Sequence, residues 1–242
     1  MADLTGEAVA LLDHLGVGKT HVLGTSLGGF VAQELALVRP DLVDRLVLVC
    51  TSYGGRGPQA MSPAALADMM GLGTFSAEAA ARKALAAATG EVYRAEKPEE
   101  FEQIVRWRLA DSPSAVSYYE QAKAGARFDL SGDVGHITSP TLVIHGAEDR
   151  YVPPANARAL AGAIPGAKLR LLEDAGHLVF VERFADVNRE VVRFLKSSEA
   201  QARRTGGGVA EEAPREAEGW LRRSMRAVRG WVARMKAAMR AF

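Results

Sequence analysis

The stretch from Lys19 to Gly28 most restricts how this chain can fold: an apolar run, Thr20-His21-Val22-Leu23, passes directly into Gly24-Thr25-Ser26-Leu27-Gly28. A Gly-x-Ser-x-Gly pentapeptide at the end of a strand predicts a sharp strand-to-helix turn, in which a side chain two residues before or after the serine would clash. Ser26 then stands at the carboxyl end of a sheet and at a helix N-terminus, where peptide dipoles favour developing negative charge. The pentapeptide alone is equally compatible with a plain turn; its flanks strengthen the case. Residues Leu4 to Leu15 place Ala8, Leu12 and Leu15 on one helical stripe, with Leu11 beside them and Gly16 positioned to end the helix. After the serine, Phe30, Val31, Leu35 and Val38 keep helical spacing as far as Arg39-Pro40, where the proline closes the segment. Gly28 and Gly29 on its first turn would allow close approach to the sheet. Gly16-Val17-Gly18-Lys19-Thr20 is similar to the end of a phosphate-binding loop. Asp13 stands where that loop needs its first glycine, however, and Lys19-Thr20 enters a strand instead of leaving one.

Downstream, Arg45-Leu46-Val47-Leu48-Val49-Cys50 and Pro140-Thr141-Leu142-Val143-Ile144-His145-Gly146 are continuous apolar runs of strand length, the pattern of parallel strands covered on both faces. Lys168 to Leu172 is a further strand, and helices are expected from Ala155 to Ala163 and from about Val181 to Lys196. Strands alternating with helices predict an α/β fold with a mostly parallel sheet. The alternation lapses between Ser52 and about Ile137, where Ala-rich helical segments are expected at Pro63 to Met70, Ser76 to Ala88, Pro98 to Ala110 and Ser114 to Ala124. This insert carries Met61, Met69, Met70, Phe75, Phe101, Trp107, Tyr118 and Tyr119. These side chains either pack the helices on one another or line a lid over an apolar pocket.

With 242 residues and a hydrophobic fraction of 48%, the chain can bury one sizeable core. The single cysteine, Cys50, allows no internal disulfide and reads as a small buried hydrophobe. The first residues lack the basic start and apolar stretch of a signal peptide, and no run reaches the length of a membrane span, so the expected location is cytoplasmic. The net charge of +1 conceals an asymmetry: residues 1–196 hold 20 Lys+Arg against 24 Asp+Glu, and residues 197–242 hold 10 against 5. Residues 197–218 read as a flexible polar linker. Beyond it, Leu221, Met225, Val228, Val232, Met235, Met239 and Phe242 recur at spacings of 3 and 4, while Arg222, Arg223, Arg226, Arg229, Arg234, Lys236 and Arg240 fill the opposite arc. This basic amphipathic helix, 219–242, could lie on an anionic membrane surface, dock on its own domain or self-associate.

A serine hydroxyl needs a base to take its proton and an acid to orient that base. Both are available just past strand ends, where the catalytic groups of open α/β sheets gather. Asp149 follows the strand ending at Gly146, and His177 follows the strand ending at Leu172. Glu148 and Asp174 are near enough to serve as alternative acids but are expected on solvated loops. His14, His21, His136 and His145 show no partner pattern and read as surface or packing residues. No metal-ligand spacing, dinucleotide loop or nucleic-acid motif is present in the sequence.

Three ordered motifs carry a family resemblance: the turn Gly24 to Gly28, the segment Gly146-x-x-Asp149-x-x-x-Pro153, and Gly176-His177 ahead of the last helix. Over roughly residues 4–196 the chain resembles an α/β-hydrolase-fold serine hydrolase of the carboxylesterase, enol-lactonase or lipase type. The resemblance implies Ser26 as nucleophile, His177 as general base and then acid, Asp149 as the group that holds His177, and the Leu27 N–H as one oxyanion donor. It implies no cofactor and a small-molecule ester, lactone or lipid-like acyl substrate. Serine where related enzymes carry aspartate argues for acyl transfer through an acyl-enzyme. The implied domains are a core of 1–52 and 138–196 and a helical cap insert of 53–137. One departure bears on all of this: only 25 residues precede Ser26, where the family has four further strands and the loop that donates the second oxyanion N–H. The expectation is an N-terminally truncated sheet with the Val22 strand as an exposed edge, or one completed by a second chain. The alternative is a non-catalytic hydrolase-like fragment that binds a membrane surface or a partner.

Overall fold

The two continuous apolar runs become the inner strands of a sheet, because only strands covered on both faces remove every side chain of such a run from water. A computed structural model describes residues 1–55, 59–111 and 114–204. The chain opens with α1 (Ala2–His14), β1 (Thr20–Thr25), α2 (Leu27–Val38) and β2 (Val43–Val49). A helical insert follows: α3 (Pro63–Met69), α4 (Ala77–Ala88), α5 (Glu91–Glu96), α6 (Pro98–Ala110) and α7 (Ala115–Ala126). A 3-10 turn at Val134–His136 leads to β3 (Thr141–Gly146), α8 (Pro154–Ala163), β4 (Lys168–Leu172), α9 (Val179–Glu182) and α10 (Phe184–Arg204). No helix among the described residues is long and apolar enough to cross a membrane.

The four strands are parallel and lie in the order β1-β2-β3-β4. Alternation along β2 feeds two separate cores. Leu46 and Leu48 pack with Leu35 and Ala36 of α2 and Ala157 and Leu160 of α8, whereas Val47 and Val49 face Val187 and Phe194 of α10. The sheet is thus sandwiched between α2 with α8 and, on its other face, α10. Leu46, Leu48, Val143 and Ile144 are entirely buried, and each such side chain contributes about 1.5–3 kcal/mol by leaving water.

The expected edge is present: among the described residues β1 pairs with β2 alone, its alternate residues face solvent, and Leu23 is 53% exposed. Leu11 of α1 and Leu15, which caps it, are exposed as well. In the insert, Tyr93, Phe101 and Val105 form a core of their own, while Phe75, Met70 and Tyr119 are exposed. Of the aromatic and Met residues noted in the sequence, then, Phe101 packs and several others do not.

Three boundaries differ from the sequence expectation. Helix α5 was not foreseen; it is a short turn and a half begun by Gly90, and six residues give too few repeats to reveal a period. The expected single final helix is divided into α9 and α10. Helix α10 then continues to Arg204, through the first part of the expected linker, because Ser197 to Arg204 contains no glycine or proline to stop it. The remainder of that linker and the basic helix of 219–242 lie outside the described residues.

Truncation of Leu46 to Ala is expected to lower unfolding stability by about 2–5 kcal/mol, read as a reduced urea midpoint with an unchanged slope. Leu23→Lys, at the open edge, is expected to leave that midpoint unchanged and to reduce concentration-dependent light scattering, since a charge on an edge strand opposes strand-to-strand association.

Candidate active site

Register brings the carboxyl ends of the strands to one side: Thr25 pairs with Val49, Val49 with Ile144, and Gly146 with Leu172. Ser26, Asp149 and His177 each lie a few residues beyond such an end. Ser26 occupies a left-handed backbone conformation (φ 52°, ψ −119°), which costs a non-glycine residue of order 1–3 kcal/mol. Surrounding bonds enforce it: the Ser26 N–H donates to Val49 O at 2.9 Å, and Ser26 O accepts from Gly29 N–H at 2.9 Å and from the Thr51 hydroxyl at 2.8 Å.

The glycines of this turn divide differently from the expectation. A Cβ on Gly24 would lie 2.3 Å from Gly28 O and 2.7 Å from the Ala32 Cβ, so Gly24 is sterically required. A Cβ on Gly28 would meet nothing within 4 Å, so the expected clash there is absent. The residue that brings α2 onto the sheet is Gly29, whose Cβ would meet the Thr51 side chain at 2.6 Å. The turn is crowded only where the helix passes over the strand, and Gly28 sits on its open side.

His177 Nδ1 lies 2.8 Å from Asp149 Oδ2, and its Nε2 lies 3.0 Å from Ser26 Oγ. A carboxylate oxygen only accepts, so Nδ1 carries the hydrogen and Nε2 is left with a lone pair facing the serine hydroxyl. Glu148 and Asp174, the alternative acids, are exposed, and Glu148 accepts instead from the Glu91 N–H at 3.2 Å. Leu27 is the first residue of α2. Its N–H belongs to the first turn, whose donors have no acceptor within the helix, and it adjoins the serine.

Asp149 is 3% exposed and its carboxylate is saturated with donors. Oδ1 accepts from the N–H groups of Tyr151 (2.9 Å) and Val152 (2.8 Å), and Oδ2 accepts from His177 and, at 3.2 Å, from His145 Nε2. Burial by itself would raise the carboxyl's pKa; hydrogen bonds from His145 and His177 outweigh it and hold the group at about 2. His145 thus departs from the expectation that it has no partner. Entirely buried at the end of β3, it shares Nε2–H between Asp149 Oδ2 and Val152 O (2.7 Å). The only sequence signal was its position four residues before Asp149, a spacing that becomes a contact only when the chain turns back after Gly146. His21, also expected to be unpaired, lies 3.1 Å from Asp44 Oδ2. Tyr151 is a second unforeseen neighbour: its ring sits 5.5 Å from that of His177, and its hydroxyl donates to Ala84 O of α4 at 2.6 Å.

The loops that follow β3 and β4 touch backbone to backbone. Glu148 N–H donates to Ala175 O at 2.8 Å, and a Cβ on Gly146 would lie 2.1 Å from Gly176 O. Cys50, His145 and Asp149 present possible ligand atoms within 4.8 Å of one another. They suit a cation poorly: the Asp149 oxygens are fully engaged, and burial beside Asp149 pushes the Cys50 thiol up, keeping it protonated.

Because the folded Asp149 carboxyl lies below its ordinary value of 3.8, its contribution to stability is complete above that value and is lost as pH falls through about 2. Denaturant midpoints measured from about pH 6 down to about pH 2 are expected to fall more steeply for the parent than for Asp149→Asn, which lacks the titrating group. Gly146→Ala is expected to yield little folded protein, by circular dichroism, since two backbone segments would have to separate.

With this geometry in view, relatives can be compared. A family model described as alpha/beta hydrolase fold matches residues 2–184. Polyketide synthase ThaQ of Burkholderia thailandensis is 33% identical over 214 residues, which cover 81% of this chain and 9% of that protein. The RutD protein of Pseudomonas syringae pv. syringae, which bears the name of a carbamate hydrolase, is 32% identical over 171 residues, covering 71% of this chain and 65% of its own length. The chain therefore spans less than two thirds of either relative. Among solved structures, the enol-lactonase from Burkholderia xenovorans superposes with a TM-score of 0.67 at 29% identity, covering 81% of this chain and 72% of the enzyme. A match across most of the chain, a parallel sheet and the turn at Ser26 agree: the chain belongs to the α/β hydrolase fold family.

Proposed function

We propose that the chain is a serine hydrolase that cleaves carboxylic esters, lactones or lipid-like acyl compounds through an acyl-enzyme. The observation that carries this reading is the continuous relay from Asp149 Oδ2 through His177 to Ser26 Oγ, with steps of 2.8 and 3.0 Å. In the first half-reaction the Ser26 hydroxyl oxygen attacks the substrate carbonyl carbon while His177 Nε2 takes its proton. Such a general base contributes roughly 10²–10⁴-fold. Asp149 remains ionised, holds Nδ1–H and stabilises the imidazolium. The Leu27 N–H at the start of α2 faces the developing oxyanion, a contact worth on the order of 10²–10³ in rate per donor. His177 then returns the proton to the leaving alkoxide, and water activated by the same imidazole releases the acid.

The names borne by two relatives, an enol-lactonase and a carbamate hydrolase, support an acyl substrate, since both involve attack on a carbonyl. We assign 53–137 to a cap over the site; Tyr151 hydroxyl to α4 and Glu148 to the start of α5 join it to the core beside the triad. The substrate is thereby expected to enter between the insert and the strand ends.

A fluorophosphonate probe tests the reading through intact mass. The parent chain is expected to gain one adduct, Ser26→Ala none, and His177→Gln the same adduct at least about 10²-fold more slowly. Equal labelling of Ser26→Ala, or no labelling of the folded parent, would overturn it.

A further inference from the structure

An acid in an apolar run is the remaining anomaly of the site's surroundings. Glu182 ends the sequence Leu178-Val179-Phe180-Val181-Glu182 and closes α9. It is 5% exposed, and a carboxylate so placed needs hydrogen bonds to offset its lost hydration. It finds them on two separate parts of the chain. Oε2 accepts the Gly90 N–H at 2.6 Å, and Oε1 and Oε2 accept the Gly176 N–H at 3.0 and 3.1 Å. Gly90 is the residue that begins α5 in the helical insert; Gly176 immediately precedes His177.

Other contacts tighten the same seam. Leu178 N–H donates to Ala88 O at 3.0 Å, and a Cβ on Gly176 would lie 2.7 Å from Ala88 O and 3.0 Å from Gly90 N. The Arg94 guanidinium of α5 donates to Ala86 O at 2.6 Å and also binds Thr89 O. The ionisable groups facing Glu182 are Arg94 and Tyr93 of α5 and Glu148 of the loop after β3. Burial raises the Glu182 carboxyl, the Gly90 and Gly176 N–H groups lower it, and Glu148 adds repulsion.

We infer that Glu182 is a positioning residue for the triad: its carboxylate ties the α4–α5 junction of the insert to the backbone immediately ahead of His177, so that docking of the insert and placement of the base are one mechanical unit. This rests on the reading of Ser26, His177 and Asp149 as a catalytic triad. It distinguishes Glu182 from Glu148, which also holds the start of α5, through the Glu91 N–H, but whose side chain makes no hydrogen bond to the His177 segment among those of the described residues. Movement of α5 away from Glu182 would remove the Gly90 N–H that helps anchor the carboxylate holding Gly176; movement away from Glu148 alone would not.

The experiment compares the parent with Glu182→Gln, Glu182→Asp and Glu148→Gln. It reads the titration of the His177 imidazole by NMR, assigned by its loss in His177→Asn, together with the rate of fluorophosphonate labelling. In Glu182→Gln an amide NH2 replaces one acceptor. In Glu182→Asp the charge is kept but withdrawn by one methylene, which supplies the comparison if the glutamine variant does not fold. Both are expected to shift the His177 midpoint downward, because the contact with Asp149 loosens. Labelling is expected to slow by on the order of 10- to 100-fold, the usual consequence of displacing a catalytic group by about 1 Å. Glu148→Gln is expected to change neither. If the Glu182 variants titrate and label like the parent, or if Glu148→Gln matches them, the positioning role is overturned while the triad reading stands. If the parent is not labelled but Glu182 variants still move the His177 titration, the positioning role stands and the catalytic reading fails.

Discussion

A buried carboxylate must have its lone pairs filled, and the Asp149 side chain organises the heart of this molecule on that basis. Two backbone N–H groups fix one oxygen and two imidazoles the other. Satisfying the first oxygen curls residues 149–152 into a tight turn, which places the Val152 carbonyl against His145. Satisfying the second draws the His177 loop across the ends of β3 and β4, where the backbones meet so closely that Gly146 cannot carry a side chain. The result is an imidazole whose hydrogen position is set by geometry, because Nδ1 of His177 faces the Asp149 carboxylate, whose pKa is held well below its ordinary value.

The sheet supplies the rigidity this arrangement needs. β2 and β3, buried on both faces, align the strand ends from which the three side chains project. The outer strands differ: β4 is partly covered, and β1 carries Ser26 on an edge whose alternate residues meet solvent. Ser26 therefore stands at the margin of this sheet, held there by bonds from its backbone to Val49 and Thr51 of the neighbouring strand and its extension. Strain at Ser26 and the requirement for glycine at 24 and 29 have the same origin, which is a helix leaving a strand at close range.

Much of this was legible in the sequence. The apolar runs, the turn and the order of Ser26, Asp149 and His177 are local patterns, and each led to the element and the proximity expected of it. Less legible were the contacts between segments. His145 and Glu182 sit within apolar runs whose composition says only that they are buried. The glycines at 24, 28 and 29 look alike in the sequence, yet one meets a carbonyl, one a threonine side chain and one nothing. Helix α5 and the break between α9 and α10 were missed because four to six residues contain no repeating period.

The sequence by itself determined the α/β alternation, the two-sided burial of β2 and β3, and the placement of a serine on a glycine-flanked turn, since these depend on periodicity and on the conformational range of single residues. Only the tertiary structure decided which acid reaches His177, which histidine shares it, and how Glu182 joins the insert to the backbone ahead of His177. Those outcomes depend on distances between segments far apart in the chain, and a buried charge selects its partners by the donors that folding brings within about 3 Å, not by those nearest in sequence.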